Sequence, residues 1–318
     1  MTNRRGVALI TALWLVVAIA AVALEFSLQA KERRQLGVAS AERGIARAAA
    51  AGAMAVVQAK LDYVLRTAAN AGGTNNSVLR STDPWLDVDS VYSGKYTVDS
   101  IDVDVRARDL GTQLNINNLT EAEFRTFFGF VLRDFETADK LAQAIMDWRD
   151  PDDMPRVRGA ERDDYIKAGM LSLPQNAGFR EVEDLLQVMG MRPEIYAAVS
   201  PYFTTRGNGS VNLNTAPPPV LRVLPGMTDA LLNQIIGLRS QGRRITSINQ
   251  VLQAAARRPL TPALLQPFER LASRTTVDTR EVELTLVARA TPHAQPTRLM
   301  AIIQRGGNNA ATIQWKQW

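Results

Sequence analysis

The feature that most constrains this chain is an uncharged apolar segment near its N-terminus. The sequence begins Met1-Thr-Asn-Arg4-Arg5-Gly6 and then continues from Val7 to Leu24 without a charged residue. At roughly 1.5 Å per residue these residues would form a helix of about 27 Å, which is close to the thickness of the hydrocarbon core of a bilayer. The segment therefore predicts one helix in a membrane.

Three processing outcomes are compatible with this segment. It could remain as an uncut anchor, or it could be a secretory signal cut after Ala21-Val22-Ala23, which has the small-x-small pattern. The third outcome is a cut at Gly6, which would leave the apolar segment in the mature protein. Arg4 and Arg5 would hold such a short leader in the cytoplasm, and Gly6 gives a peptidase an unhindered backbone. The third outcome has the best physical support.

A helical pattern continues beyond the apolar segment. Met54, Val57, Leu61 and Val64 recur at helical spacing in an alanine-rich stretch that reaches about Ala69. A signal peptide would not need this continuation, whereas a continuous helix, half in lipid and half outside, would.

Residues 6–13, Gly6-Val7-Ala8-Leu9-Ile10-Thr11-Ala12-Leu13, resemble the N-terminus of type IV pilins and of the pseudopilins of the type II secretion system. The resemblance implies cleavage by a prepilin peptidase between Gly6 and Val7 and N-methylation of Val7. It also implies that the apolar helix packs into a filament. The chain differs from most of that family at the fifth mature residue, where Thr11 takes the place of a Glu.

The absence of a carboxylate at Thr11 has a physical interpretation. A carboxylate within a bilayer costs about 2.5–3.5 kcal/mol, so it needs a partner. In the family, the implied partner is the N-terminal amine of the subunit above it in the filament. A subunit with nothing above it can lack this charge, and the family member that lacks it and has a long body is minor pseudopilin K. The alternative is that Thr11 is an ordinary residue of a signal anchor.

The rest of the chain predicts an α+β fold: a long N-terminal transmembrane/pilin helix, a small antiparallel pilin-like sheet, and a large helical insertion between strands. Residues 96–105 alternate apolar and polar side chains over much of their length, and three short C-terminal strands are separated by Pro and Gly. The predicted domains are a leader (1–6), a membrane-spanning and pilin helix (7–70), a sheet (85–117 and 276–318) and an inserted helical domain (118–275).

The inserted domain contains a degenerate repeat, whose copies would span residues 118–205 and 206–275. The paired segments are Asn115–Asn117 with Asn212–Asn214, Ile145–Arg149 with Ile235–Arg239, and Phe179–Leu186 with Ile245–Leu252. The spacing of the last two segments differs between the copies. Arg149 and Phe179 are 30 residues apart, whereas Arg239 and Ile245 are 6 apart, so the first copy carries about 24 extra residues.

The extra residues are acidic, and they are the candidate metal site. Residues 133–184 carry 13 Asp and Glu against 8 Lys and Arg, whereas residues 201–318 carry 5 against 14. Carboxylate oxygens suit a hard cation such as Ca²⁺, although the spacing is not that of an EF-hand. The candidate ligands are Asp150, Asp152, Asp153, Glu161, Asp163 and Asp164. The alternative is an acidic loop balanced by surface ion pairs with Arg156, Arg158 and Arg162.

Five segments resemble the minor pseudopilin K family: Asp147–Asp153, Gly159–Tyr165, Phe179–Leu185, Gly190-Met191 and Val211–Ala216. The resemblance implies a structural Ca²⁺ in the insertion. It also implies a place at the tip of the pseudopilus, where the protein would initiate filament assembly and support secretion across the outer membrane.

The same resemblance implies a set of partners and a location. The implied partners are minor pseudopilins I and J, the major pseudopilin and the prepilin peptidase, with contacts to exoprotein cargo or the outer-membrane secretin. The implied location is the bacterial inner membrane, crossed once, with the C-terminal body in the periplasm.

Two other function classes have weaker support in the sequence. Val211–Ala216, Leu224–Met227 and Ile235–Arg239 also resemble the helix-hairpin-helix module of membrane-anchored DNA-uptake receptors, in which backbone amides and nearby Arg bind phosphate. The hairpin has one Gly where that module usually has two, and Asp229 opposes a phosphate, so no nucleic-acid partner is expected. No enzyme activity is expected either, because the single histidine, His293, has no carboxylate neighbours in the sequence and no catalytic motif is recognisable.

Overall fold

The computed structural model describes residues 4–70, 88–255, 268–306 and 310–317, and side chains over residues 12–63, 88–255 and 268–306. The described helices are α1 (Arg4–Asn70), α2 (Val88–Tyr92), α3 (Glu121–Leu132), α4 (Phe135–Arg149), α5 (Arg162–Lys167), α6 (Pro193–Val199), α7 (Pro218–Arg222), α8 (Asp229–Ser240), α9 (Ile248–Ala255) and α10 (Glu269–Ser273). Short 3-10 helices span Leu110–Thr112, Val182–Gln187 and Ser200–Tyr202. The described strands are β1 (Gly94–Val98), β2 (Ile101–Asp109), β3 (Leu114–Asn115), β4 (Phe203–Thr204), β5 (Val211–Asn212), β6 (Thr275–Thr276), β7 (Glu281–Ala288), β8 (Thr297–Arg305) and β9 (Ala310–Gln317).

The main sheet has five antiparallel strands in the order β1-β2-β7-β8-β9. Along β2 and β7, buried and more exposed residues alternate, as expected for strands that cover a core with one face. The three C-terminal strands and the antiparallel pairing agree with the sequence prediction, and the predicted α+β fold class is confirmed.

The second half of α1 packs on one face of this sheet. Its buried residues are mostly small, which lets the helix backbone approach the strands closely: Ala46, Ala49, Ala50, Ala53, Val57 and Leu61. A Cβ added at Gly52 would come within 2.9 Å of Val98 Cγ1, so this position has no room for a side chain. Between Leu13 and Ile45, by contrast, the large apolar residues of α1 are exposed.

The helical domain is inserted between neighbouring strands. The chain leaves the sheet at the end of β2 and returns at the start of β7, where Asp109 pairs with Val282. At this junction Asp109 is 2% exposed. Its carboxylate accepts hydrogen bonds from the Gly111 N–H, Asn212 Nδ2, and the hydroxyls of Thr215 and Thr279, at 2.7–3.0 Å.

Residues 113–117 differ from their predicted place in the main sheet. Within them β3 covers only Leu114–Asn115, and it pairs in parallel with β4 inside the helical domain. A second parallel pair, β5 with β6, closes the other half of that domain. Each pair joins the two ends of a long helical segment.

Each half of the helical domain contains an equivalent set of hydrogen bonds. The side-chain amide of Asn117 accepts from the Phe179 N–H at 2.8 Å and donates to its carbonyl at 2.9 Å. Asn214 makes the same pair of bonds to Ile245, both at 2.9 Å. Arg149 donates to the carbonyls of Ile116 and Leu119, and Arg239 to those of Ala216 and Thr215. Around these contacts one continuous apolar core fills the domain, with Trp148, Phe124 and Phe203 fully buried.

Candidate functional site

The predicted processing site lies at the start of α1. Gly6, Val7 and Thr11 fall in its first turns, and their side chains are outside the part that the structure describes. By length and composition, α1 could cross a membrane, and the other described helices do not meet this criterion. The predicted N-terminal helix, apolar enough to span a membrane, is therefore present.

Three of the six predicted metal ligands converge beside the end of α4. Asp150 is the residue that caps this helix, Asp152 follows in the loop, and Glu161 directly precedes α5. One carboxylate oxygen from each lies within 4.8 Å of the others. Asp152 is exposed, Asp150 half-buried and Glu161 only 3% exposed, so the group reaches from the surface into the domain.

The buried carboxylate oxygens of this group lack hydrogen-bond partners among the described residues. They are Asp150 Oδ1 and both oxygens of Glu161. Burial, followed by the charges of Asp147, Asp150, Asp153 and Asp152, raises the pKa of Glu161 to about 7. Buried carboxylates without donors are unfavourable unless a cation or a proton neutralises them, so the donor set fits a hard divalent cation.

A partly buried ion pair supports the inner side of this group. Asp147 is fully buried, and its carboxylate accepts hydrogen bonds from the backbone N–H and the guanidinium of Arg156. Burial raises the pKa of Asp147 despite these bonds. The same guanidinium contacts Asp150 Oδ2 at 2.5 Å. Burial acts to lower the pKa of Arg156, but the bonds to Asp150 and Asp147 outweigh it and the pKa is raised.

The loop closes over Asp147 at a glycine. A Cβ added at Gly159 would lie 1.8 Å from Asp147 Oδ2, so only glycine fits there. The sequence reasoning missed both Asp147 as a site residue and Gly159 as a steric requirement. The mismatch between Asp147 and Gly237 at the same position of the two repeat copies was the available signal for Asp147.

The other three predicted ligands lie outside this group of three. Asp153 Oδ1 accepts a hydrogen bond from Asn176 Nδ2 at 3.0 Å. Asp164 Oδ2 accepts from the Glu161 N–H at 3.2 Å, and Asp163 is exposed in the first turn of α5. Asp164 therefore helps to begin α5.

The arginines of the helix-hairpin-helix segment are largely used within the fold. Arg222 pairs with Asp229 at 2.8 Å, and Arg244 contacts Asp278. Arg239 is half-buried and donates to main-chain carbonyls, and burial lowers its pKa. Arg243 is exposed. His293 lies exposed in the loop between β7 and β8.

Comparisons with known proteins match this architecture. The family model "Type II secretion system (T2SS), protein K" matches residues 112–207, which include the acidic group. "Type II secretion system protein K" of Dickeya chrysanthemi is 31% identical over 106 residues, covering 32% of this chain and 29% of that protein. The protein of the same name from Pectobacterium carotovorum is 25% identical over 138 residues, covering 38% of this chain and 42% of that protein. The matched regions thus span less than half the length of either relative.

A solved structure shares the fold. It is a chain of the GspK-GspI-GspJ complex from the enterotoxigenic Escherichia coli type 2 secretion system. The TM-score is 0.58 with 17% sequence identity, over 84% of this chain and 94% of that chain. The resemblance of this chain to the protein K family of the type II secretion system, which the sequence predicted, is confirmed.

Proposed function

We propose that this chain is a minor pseudopilin that sits at the tip of a type II secretion pseudopilus and initiates its assembly. The main support for this proposal is that the two halves of α1 lie in different environments. Its first half exposes large apolar side chains, whereas its second half is fixed on the sheet by a buried alanine-rich face. Such a helix can be held in a bilayer and later pack against the helices of other subunits without unfolding the body.

The N-terminal residues support the tip position. After cleavage at Gly6, Val7 would be the methylated first residue and Thr11 the fifth. A tip subunit has no subunit above it whose amine would need a carboxylate at Thr11. The inserted domain enlarges the body on the sheet, which suits a subunit that ends a filament.

The proposed partners and location follow from the family. The structural relative was solved with GspI and GspJ, and we expect the corresponding minor pseudopilins to bind this chain. The body would lie in the periplasm, with the major pseudopilin added below it and with exoprotein cargo or the secretin above it. DNA uptake is not favoured, because the matched family belongs to a secretion system and Arg222, Arg239 and Arg244 are engaged within the fold.

Leader processing tests this proposal. In full-length protein made together with a prepilin peptidase, we expect a mature N-terminus at a methylated Val7. Gly6→Asp should retain the leader and abolish secretion, while membrane insertion is unchanged. Asn3→Asp adds the same charge away from the cut and should be processed normally. Normal secretion by Gly6→Asp, or a wild-type start at Met1 or Leu24, would contradict the proposal.

We also propose that Asp150, Asp152 and Glu161 hold a Ca²⁺ ion. The support is their convergence within 4.8 Å and the unpaired buried oxygens of Asp150 and Glu161. The ion would neutralise these carboxylates and fix a loop of few apolar anchors between α4 and α5.

Calorimetric titration and thermal melting of the metal-free protein test the ion site. Ca²⁺ should bind and raise the Tm of the wild type and of Asp163→Asn, since Asp163 lies outside the group. Glu161→Gln should lose both effects. An unchanged Tm of the wild type with Ca²⁺, or an equal loss in Asp163→Asn, would contradict this assignment.

A further inference from the structure

The helical domain carries an open groove across α3. Two adjoining cavities of about 570 Å³ and about 590 Å³ form it. Thr126 and Arg222 line both cavities, so they are one groove. One end lies against the start of α4, and the other lies between the Leu224–Met227 hairpin and α10.

One end of the groove is aromatic. Phe135 is 79% exposed and Phe130 is 41% exposed. Gly129 lets Phe135 lie close to α3, since a Cβ there would be 3.2 Å from the Phe135 ring. The guanidinium of Arg222 stands 4.7 Å from the centroid of the Phe130 ring. Exposed aromatic side chains together with arginine are typical of the centres of protein–protein interfaces.

The charge of the groove that remains after its ion pairs are counted is positive. Arg125 pairs with Glu121 and Asp139, and Arg222 pairs with Asp229. The lining of the groove contains a single carboxylate, Glu123, and five arginines: Arg125, Arg133, Arg222, Arg270 and Arg274. Glu123 is already neutralised, because it pairs with Arg274 at 3.2 Å and accepts hydrogen bonds from Thr120. Arg133 and Arg270 are exposed, and neither forms an ion pair with another residue in the described ranges. The groove therefore offers unneutralised positive charge beside an apolar surface.

We propose that this groove binds an acidic segment of another polypeptide. Carboxylates of that segment would meet Arg133 and Arg270, and an apolar side chain would lie against Phe130 and Phe135. A polypeptide fits better than a nucleic acid, because Phe130 and Phe135 offer an apolar side chain a contact. Asp229, which pairs with Arg222, would also repel a phosphate. The inference uses only the helical domain and depends neither on leader cleavage nor on the Ca²⁺ site.

Fluorescence anisotropy with the detergent-solubilised full chain can test the groove. The probe is a labelled twelve-residue peptide in which Asp and Glu alternate with Phe, and its control has Asn and Gln in place of the acids. The groove variant is Arg133→Glu with Arg270→Glu. The matched control, Arg289→Glu with Arg298→Glu, makes the same charge change at two exposed positions, one directly after β7 and one in β8. Phe135→Ala tests the aromatic end with little risk to folding.

We expect the groove variant to bind the acidic peptide at least about tenfold more weakly, with binding by the sheet variant unchanged. Phe135→Ala should weaken binding about threefold, the neutral peptide should not bind, and raised salt should weaken binding. Failure of the wild type to bind the acidic peptide would overturn the proposal. So would equal losses in both double variants, or stronger groove-dependent binding of duplex DNA. If the groove variant is misfolded by its melting curve, the Phe135→Ala result decides.

Discussion

At the scale of single residues, Glu161 is the least compensated group in the acidic insertion. Burial and four nearby carboxylates raise its pKa to about 7, and its two oxygens have no donor among the described residues. The folded protein therefore favours the protonated side chain. Its folding stability without metal is fully present below the unfolded pKa of about 4.5 and is lost as the pH rises through 7.

This pKa shift predicts a pH-dependent stability of the metal-free protein. Between pH 4.5 and pH 8 the contribution of Glu161 to the free energy of unfolding should fall by on the order of 3 kcal/mol. Glu161→Gln lacks the titrating group, so in EGTA at pH 7.5 it should melt at a higher temperature than the wild type. The check is a series of melts from pH 5 to pH 8. A lower Tm for Glu161→Gln across that range would refute the unpaired state of Glu161.

A second prediction at this scale concerns Gly159. A methyl group there would collide with Asp147 Oδ2, a fully buried oxygen that is held by the partly exposed Arg156. Gly159→Ala should lower the free energy of unfolding by about 1–3 kcal/mol. Gly237→Ala is the matched control, because nothing lies within 4 Å of its added Cβ and α8 should gain up to about 1 kcal/mol. Denaturant unfolding of both variants checks the difference, and an unaffected Gly159→Ala would count against the close approach.

The sequence identified the acidic insertion, but it could not show which of the six carboxylates come together in space. Composition marked six carboxylates equally, whereas the fold brings together Asp150, Asp152 and Glu161. Asp164 helps to begin α5, which composition cannot distinguish from a metal ligand. Asp147 escaped notice because it lies within a helix, and its burial depends on a loop that returns at Gly159.

At the scale of elements, α1 depends on two different environments. The spacing of Val57 and Leu61 predicted that the helix continues, and in the structure both residues are fully buried against the sheet. Leu61→Ala should therefore lower the free energy of unfolding by about 2–5 kcal/mol. Leu36→Ala, on the same helix at a position that is 61% exposed, should change it little. Thermal melts of the two variants in detergent make the comparison, and equal effects would argue against the packed face.

The two short pairs of parallel strands could not be predicted from the sequence. β3 and β4, like β5 and β6, contain two residues each, so they have no alternation to recognise. Their partners are also distant in the chain, as Leu114 pairs with Phe203 and Val211 with Thr275. Longer strands were predicted because their alternation is local: β2 and β7 both follow it. The alternating stretch 96–105 is nevertheless divided by a turn at Asp99-Ser100, where β1 ends and β2 begins.

At the scale of the whole molecule, Asp109 joins the sheet to the helical domain. Its carboxylate accepts hydrogen bonds from Asn212 and Thr215 of the inserted domain and from Thr279, which lies just before β7. Asp109→Ala would leave these donors buried and unpaired, so the free energy of unfolding should fall by about 3 kcal/mol. Asp104→Ala removes an exposed carboxylate from the same strand and serves as control. Melting curves that do not separate the two variants would show that the junction does not depend on Asp109.

The position of the insertion has a consequence for how such a protein can vary. Since β2 and β7 are antiparallel neighbours, a tight turn would be enough to join them as an ordinary hairpin. The strand register of the sheet and the packing of α1 on it therefore do not depend on the number of residues between β2 and β7. A lineage could enlarge, shorten or replace everything between Asp109 and Glu281 and still keep a subunit that assembles in the same way.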